Sequence, residues 1–421
     1  MRSIILDEIR VNNNRVDFFF TPSKNLQKYF KENNNLFIEY NYDITDIPKS
    51  ILVIPFLSNI IPLTWIADSI IKLKELDKSF YECLTGLKES YQDMFPNMKF
   101  KGEIEVEKVV ENTYEPIHEV ASLFSGGLDA ITTFIRVKNK NPLLITEFGW
   151  HGSEIKNSEV WEADKENAVE FAGKYGLDNI LVQSNYGNFV NARIIDSDFA
   201  KRLGDSWWHG LHHGLAIISA AIPLAFKLKV GCIYIASSYS RGSELPCASN
   251  PVSDNRIRYA SGRVFHDGFE LTRQAKTKIV VDYFSENQES VNIRVCFKNE
   301  DNCCNCEKCL RTILGIIAEG KDPKKFGFNI PEDLSSHLQN YLSDNIKYFT
   351  KTNILYWDFI KQRITENRHN ISGELKLEWF FTYDFVLERK YSLIKYRVTQ
   401  FFPIIKRRIG NRISRKFESH Y

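Results

Sequence analysis

Methionine is scarce, with three in 421 residues, and no charge of one sign prevails: 55 lysines and arginines stand against 53 aspartates and glutamates, a formal net charge of +2. That balance excludes a surface that grips polyanions everywhere, so any nucleic-acid binding must come from a local patch. No internal repeat or low-complexity tract is present, which excludes solenoid and collagen-like architectures. The start, Met1-Arg2-Ser3-Ile4-Ile5-Leu6-Asp7-Glu8, has no apolar signal core, so a cytoplasmic chain without disulfides is expected. No apolar run of membrane length stands out. The longest, residues 215–230, holds Pro223 and two lysines and reads as a buried helix, so the chain is not expected to cross a membrane.

At 43% hydrophobic and 13% aromatic residues, the chain can bury more than one core, and two or three domains are expected. Residues 1–118 read as an N-terminal α+β module, with strands at 15–20, 36–42 and 99–110 and helices at 63–73 and 80–94. No residue cluster there has the spacing of a catalytic site, so it reads as a scaffold or partner-binding surface. Residues 119–320 alternate strand and helix: strands at 119–124, 142–146, 179–183 and 231–237, helices at 130–137, 159–175 and 206–228. This pattern predicts an α/β fold with a parallel sheet and helices on both faces. Residues 321–421 read as a C-terminal helical extension.

The most informative segment is Ser122-Leu123-Phe124-Ser125-Gly126-Gly127-Leu128-Asp129-Ala130, an apolar strand that breaks into a Ser-Gly-Gly turn and re-enters a helix. Adjacent glycines let the backbone approach an anion, Ser125 adds a hydroxyl, and the helix start directs free N–H groups at the same point. Leu123, Phe124, Ser125, Gly126, Gly127 and Asp129 are therefore the candidate phosphate-binding residues. A Gly-Gly turn alone is weak evidence, and an ordinary strand-to-helix turn is the bland alternative.

Five of the eight cysteines fall between Cys296 and Cys309. Cys303, Cys306 and Cys309 make two consecutive C-x-x-C steps, and Cys296 lies one short loop upstream. Such spacing suits a tetrahedral zinc site of four thiolates. An iron–sulfur cluster and a redox dithiol are the competing readings. Cys83, Cys232 and Cys247 read as small buried apolar residues, with Cys304 left over.

Ser125, Gly126, Gly127 and Asp129 match the Ser-Gly-Gly-x-Asp-Ser signature of the PP-loop ATP pyrophosphatase superfamily, which the chain resembles. Ala130 stands where that family usually has a second serine, and Thr132 or Thr133 is the candidate replacement hydroxyl. The C-x6-C-x2-C-x2-C run ending in Cys309-Leu310-Arg311, together with Lys276-Thr277-Lys278-Ile279-Val280 upstream, resembles the 7-cyano-7-deazaguanine synthases (QueC) over residues 119–320. Those enzymes usually carry glycine where this chain has Cys304. The chain also looks like the QueC-like proteins of the Qat and type IV CBASS phage-defence loci.

The resemblance implies an adenine nucleotide alpha hydrolase-like fold, with ATP, Mg²⁺ and Zn²⁺ as cofactors. It implies an ATP-dependent ligase that adenylates a carboxylate, 7-carboxy-7-deazaguanine or a similar one, and joins it to ammonia or a protein amine. Ser125, Asp129, Lys276 and Arg273 are the catalytic candidates: the Ser125 turn and a lysine would stabilise charge on the departing pyrophosphate, while Asp129 positions Mg²⁺ or the cradle itself. Possible partners are the small carboxylate and a protein acceptor. Rival readings are a tRNA-modifying enzyme and a non-catalytic nucleotide-binding partner protein, the latter favoured by Ala130.

Loops after the second and fourth strands of the 119–320 region offer Trp150, His151, Ser238 and Arg241 as pocket residues, with ordinary solvated turns as the alternative. His209 with His212 or His213 has the spacing of paired metal ligands, but no acidic ligand stands out nearby. From Arg389 to Lys416 there are ten basic residues and no acidic one, interleaved with aromatic and aliphatic residues. A nucleic-acid grip, an in-plane membrane helix and a solvated or docked helix compete for this tail.

Overall fold

The computed structural model describes residues 2–31, 35–149, 155–243, 245–296 and 299–399. Trp150, His151 and the tail from residue 400 lie outside them. Eleven strands form one sheet: β1 (Ser3–Asn12), β2 (Arg15–Pro22), β3 (Leu36–Tyr40), β4 (Ile70–Asp77), β5 (Glu103–Val110), β6 (His118–Leu123), β7 (Leu143–Phe148), β8 (Asn179–Ser184), β9 (Val230–Ala236), β10 (Arg258–Tyr259) and β11 (Gly262–Asp267), in the order β10-β11-β9-β6-β7-β8-β3-β2-β1-β4-β5. The block β11-β9-β6-β7-β8 is parallel throughout. Helices connect its strands, so the expected α/β class holds.

Within this block the chain lays β7 and then β8 on one side of β6, and β9 and then β11 on the other. Strand order therefore reverses between β6 and β9, where the loops leaving the two strands diverge and open a crevice. β3 runs antiparallel to β8, β2 to β3 and β1 to β2, while β4 and β5 run parallel to β1 and its neighbour. Residues 95–102, which lead into β5, consequently lie on the same sheet edge as the loops that follow β6 to β9.

The strands of residues 1–118 thus extend the sheet of the following region and form no body of their own. One core is shared across the expected boundary. Helix α1 (Lys49–Ile66), apolar on every side, packs on a later helix, and the buried Tyr40 hydroxyl donates to the Ala220 carbonyl at 2.9 Å. The helix expected at 63–73 does not form as such: α1 ends at Ile66 and β4 begins at Ile70. By length and composition α1 and the stretch Trp207–Lys227 are each able to cross a membrane, but 94% and 78% of their apolar windows are buried inside the protein.

The remaining helices are α2 (Lys78–Met94), α3 (Leu128–Val137), α4 (Ile155–Lys174), α5 (Ala192–Leu203), α6 (His213–Lys227), α7 (Pro251–Asp254), α8 (Arg273–Glu286), α9 (Glu307–Ala318), α10 (Leu334–Asn345), α11 (Lys351–Glu366) and α12 (Glu378–Thr382). The chain divides into one compact unit of Met1–Tyr283 with Asn292–Asp301, and a second built from Phe284–Val291 and the chain from Asn302 onward. The second unit is helical. Trp357, fully buried, packs among Phe349, Phe380 and Phe385, and Arg363 grips the Glu319 carboxylate through Nε and Nη2 at 2.9 and 2.7 Å. Residues 385–399 are helical, and Tyr391, Ile394 and Val398 on them are exposed.

Asp77, fully buried where β4 enters α2, holds three partners of the first unit together. Its carboxylate accepts from the Phe80 amide at 3.0 Å as the N-cap of α2, from the Ala260 amide at 2.9 Å and from Asn112 Nδ2 at 2.9 Å. Asp77→Ala loses the cap and orphans buried donors, so it is expected to destabilise the first unit by about 3 kcal/mol. Urea unfolding followed by tryptophan fluorescence measures this, and Asp77→Asn is expected to lose less.

Candidate functional site

β6 ends at Leu123, and Phe124 continues it, its amide donating to the Ile145 carbonyl at 2.7 Å and its ring packing on Phe171. The chain then breaks at exposed Ser125. Gly126 has φ +69°, a left-handed conformation that disfavours side chains, and a Cβ there would stand 2.5 Å from Asn167 Nδ2. Gly127 is the N-cap residue of α3 and brings no side chain of its own, and its amide donates a long hydrogen bond of 3.4 Å to the Ser125 hydroxyl. The turn thus brings two side-chain-free residues to a helix start beside the switch point, with the Ser125 hydroxyl and Asn167 against them.

Three charged side chains sit behind it. Asp129, in the first turn of α3, accepts from Arg273 Nη1 at 2.9 Å and from Lys276 Nζ at 3.2 Å, both on α8. Lys276 is only 2% exposed, and its ammonium also donates to the Ser237 carbonyl just past β9. Four sequence-derived site residues, Ser125, Asp129, Arg273 and Lys276, therefore meet at one edge. Asp129 is occupied by two cations, so its visible task is to hold them.

Thr132 and Thr133 do not replace the missing serine. The Thr132 hydroxyl donates to the Leu128 carbonyl, and that of Thr133 to Asp267 Oδ2, both at 2.8 Å and both buried. Ser238 and Arg241 are exposed in the loop after β9, the Arg241 amide donating to the Phe269 carbonyl.

Several residues of this edge escaped the sequence reading. The Arg294 amide donates to the Gly126 carbonyl at 2.8 Å, and its buried guanidinium bonds Asp164 through Nε at 2.9 Å and the Asn299 carbonyl through Nη2 at 3.2 Å, leaving Nη1 without a partner among the described residues. Asp267, at the end of β11, takes Arg136 as well as Thr133. At the end of β7, burial pushes the Glu147 carboxyl well above the ordinary range, against the Tyr186 hydroxyl that donates to it at 3.2 Å. None of these follows a spacing rule, and the contacts that mark them join distant segments.

Cys296, Cys303, Cys306 and Cys309 come together: their Sγ atoms all lie within 4.8 Å of one another, and those of Cys303 and Cys309 are 3.9 Å apart. A tetrahedral ion with four bonds of about 2.3 Å spaces its sulfurs by about 3.8 Å, so the set can hold a metal ion, and zinc fits. Cys306 is the N-cap residue of α9, where the helix start favours a thiolate. Cys304, turned away toward the Asn302 carbonyl, has φ +54°, which explains why a glycine suits this position.

The three histidines do not form a second metal centre. His212 is fully buried against Asn59 at 2.7 Å, its pKa lowered to about 3 by burial and by His213; His213 bonds the Trp208 carbonyl, and His209 lies between Asp205 and Tyr239. Among the described residues the four cysteines are the metal-competent cluster. Comparison with protein-family models, with curated proteins and with solved structures returned no match.

Burial alone would raise the Asp129 carboxyl, but Lys276 and Arg273 outweigh it and hold the group below its ordinary 3.8. A lowered carboxylate stabilises the fold fully above the ordinary value and loses that contribution as pH falls through the lowered one. Asp129→Asn is therefore expected to melt below the parent at neutral pH, with the two midpoints converging as pH falls through the lowered value. Elemental analysis is expected to find about one metal ion per chain, lost in Cys306→Ser together with part of the thermal stability of the second unit.

Proposed function

We propose that this protein is an ATP-dependent ligase of the PP-loop type that forms C–N bonds. It transfers AMP to a carboxylate, 7-carboxy-7-deazaguanine or a close analogue, and passes the acyl group to ammonia or a protein amine. The observation that carries this reading is the Ser125-Gly126-Gly127 turn at the reversal of strand order, backed by the cations of Lys276 and Arg273. Ligands of open parallel sheets bind at such points, and helix-start N–H groups favour phosphate.

A carboxylate resists attack by an amine at neutral pH, and adenylation supplies a leaving group. In this reading the N–H groups of residues 125–127 and the Ser125 hydroxyl take the charge that develops on pyrophosphate, with Lys276 and Arg273 adding positive potential. Arg294, whose amide bonds the Gly126 carbonyl and whose buried Nη1 has no partner among the described residues, is a further donor in this reading. Mg²⁺ bound with ATP would neutralise phosphate charge. Zinc held by Cys296, Cys303, Cys306 and Cys309 would have a closed shell and a structural role. A cytoplasmic location and a place in phage defence belong to the same proposal.

A second reading, a nucleotide sensor without turnover, is favoured by Ala130 and by the committed hydroxyls of Thr132 and Thr133. Exchange of labelled pyrophosphate into ATP, dependent on 7-carboxy-7-deazaguanine, separates the two. The ligase exchanges, and Lys276→Met is expected to slow it by about 100-fold or more. Binding of ATP without exchange under any carboxylate or tRNA would establish the sensor, and no binding would refute both.

A further inference from the structure

The helix of residues 385–399, in the second unit, has two sides of different kind. Asp384 starts it, its Oδ1 accepting from the Val386 and Leu387 amides at 3.0 and 2.9 Å, and no glycine or proline interrupts the stretch. One side packs on its own unit. Phe385 is 1% exposed, Arg389 Nε donates to the Phe349 carbonyl at 2.7 Å, and the Tyr396 ring meets that of Tyr348 at 6.3 Å.

The other side carries an apolar stripe. Leu387, Tyr391, Ile394 and Val398 are 42, 58, 50 and 49% exposed. They follow one another at steps of four, three and four residues, so at about 100° per residue they fall within about 60° of one another. Arg389 and Tyr396 project from the opposite side, so the packing that anchors the helix leaves the stripe open to solvent among the described residues. Lys390 and Lys395, both exposed, border the stripe, one on each flank. A contiguous apolar row of this kind marks an interaction surface.

Charge decides what covers it. From Arg389 to Lys416 the sequence holds ten basic residues and no acidic one. A second copy of the helix would set lysine against lysine along both borders, with no carboxylate to pair. A nucleic acid would take the cations and leave Leu387, Ile394 and Val398 uncovered. A bilayer surface with anionic headgroups meets both demands: the stripe enters the boundary between headgroups and acyl chains, while the lysine stems lie along it and place their ammonium groups among the phosphates.

We propose that residues 385–399 are an in-plane docking helix for an anionic lipid surface. Leu387, Tyr391, Ile394 and Val398 insert, and Lys390 and Lys395 contact headgroups. No residue of the Ser125 edge takes part, so this assignment stands apart from the ligase reading.

The test is co-sedimentation of the full chain with vesicles, either of phosphatidylcholine alone or of phosphatidylcholine and phosphatidylglycerol in equal parts. The chain is expected to bind the mixed vesicles at least about tenfold more tightly than the neutral ones and to release as salt is raised. Tyr391→Ser combined with Ile394→Ser keeps the net charge and is expected to weaken that binding by about tenfold or more. Lys390→Gln with Lys395→Gln is expected to remove most of the preference for the mixed vesicles. All four side chains are exposed, so circular dichroism is expected to match the parent. Vesicle binding that the serine variant leaves unchanged overturns the proposal. A chain that ignores the mixed vesicles overturns it as well, whether tRNA binding lost with the two lysines or a dimer dissolved by the serine variant takes its place.

Discussion

A lysine ammonium almost wholly removed from water organises the ligand edge of the first unit. Lys276 is tolerable there because Asp129 and the Ser237 carbonyl replace its hydration. Those contacts tie α8 to the first turn of α3 and to the loop leaving β9, which are the two sides of the crevice. Arg273 shares the same carboxylate, so the phosphate-type turn, α8 and the strand reversal are held in one arrangement.

The N-terminal strands have a different part from the one their sequence suggests. They continue the parallel block in mixed register and, through α1, close one face of a common core. The direction of β5, opposite to β8, brings residues 94–97 to the edge where the parallel strands end. A segment without catalytic spacing therefore forms a wall of a cleft next to His209.

The cysteine loop is linked to the cradle by backbone. The Arg294 amide holds the Gly126 carbonyl two residues before Cys296, and its side chain is fixed on Asp164. Distances among the four sulfurs fit a tetrahedral ion without rearrangement of the kind a disulfide requires.

Local chemistry was legible from residue order. The Ser-Gly-Gly turn followed by Asp129, the C-x-x-C steps and the alternation of strand and helix after residue 118 each depend on neighbours a few positions apart, where backbone freedom, ligand spacing and periodicity act directly. Pairings over long separations were not legible: Lys276 with Ser237, Arg294 with Gly126, His209 with Tyr239, and β3 with β8. Sequence by itself therefore determined the α/β class, the Ser-Gly-Gly turn at a helix start and the four-cysteine set. The single eleven-stranded sheet and the partners of the buried charges were decided only by tertiary packing, because burial and strand pairing are set by segments that meet in space from far apart in the chain.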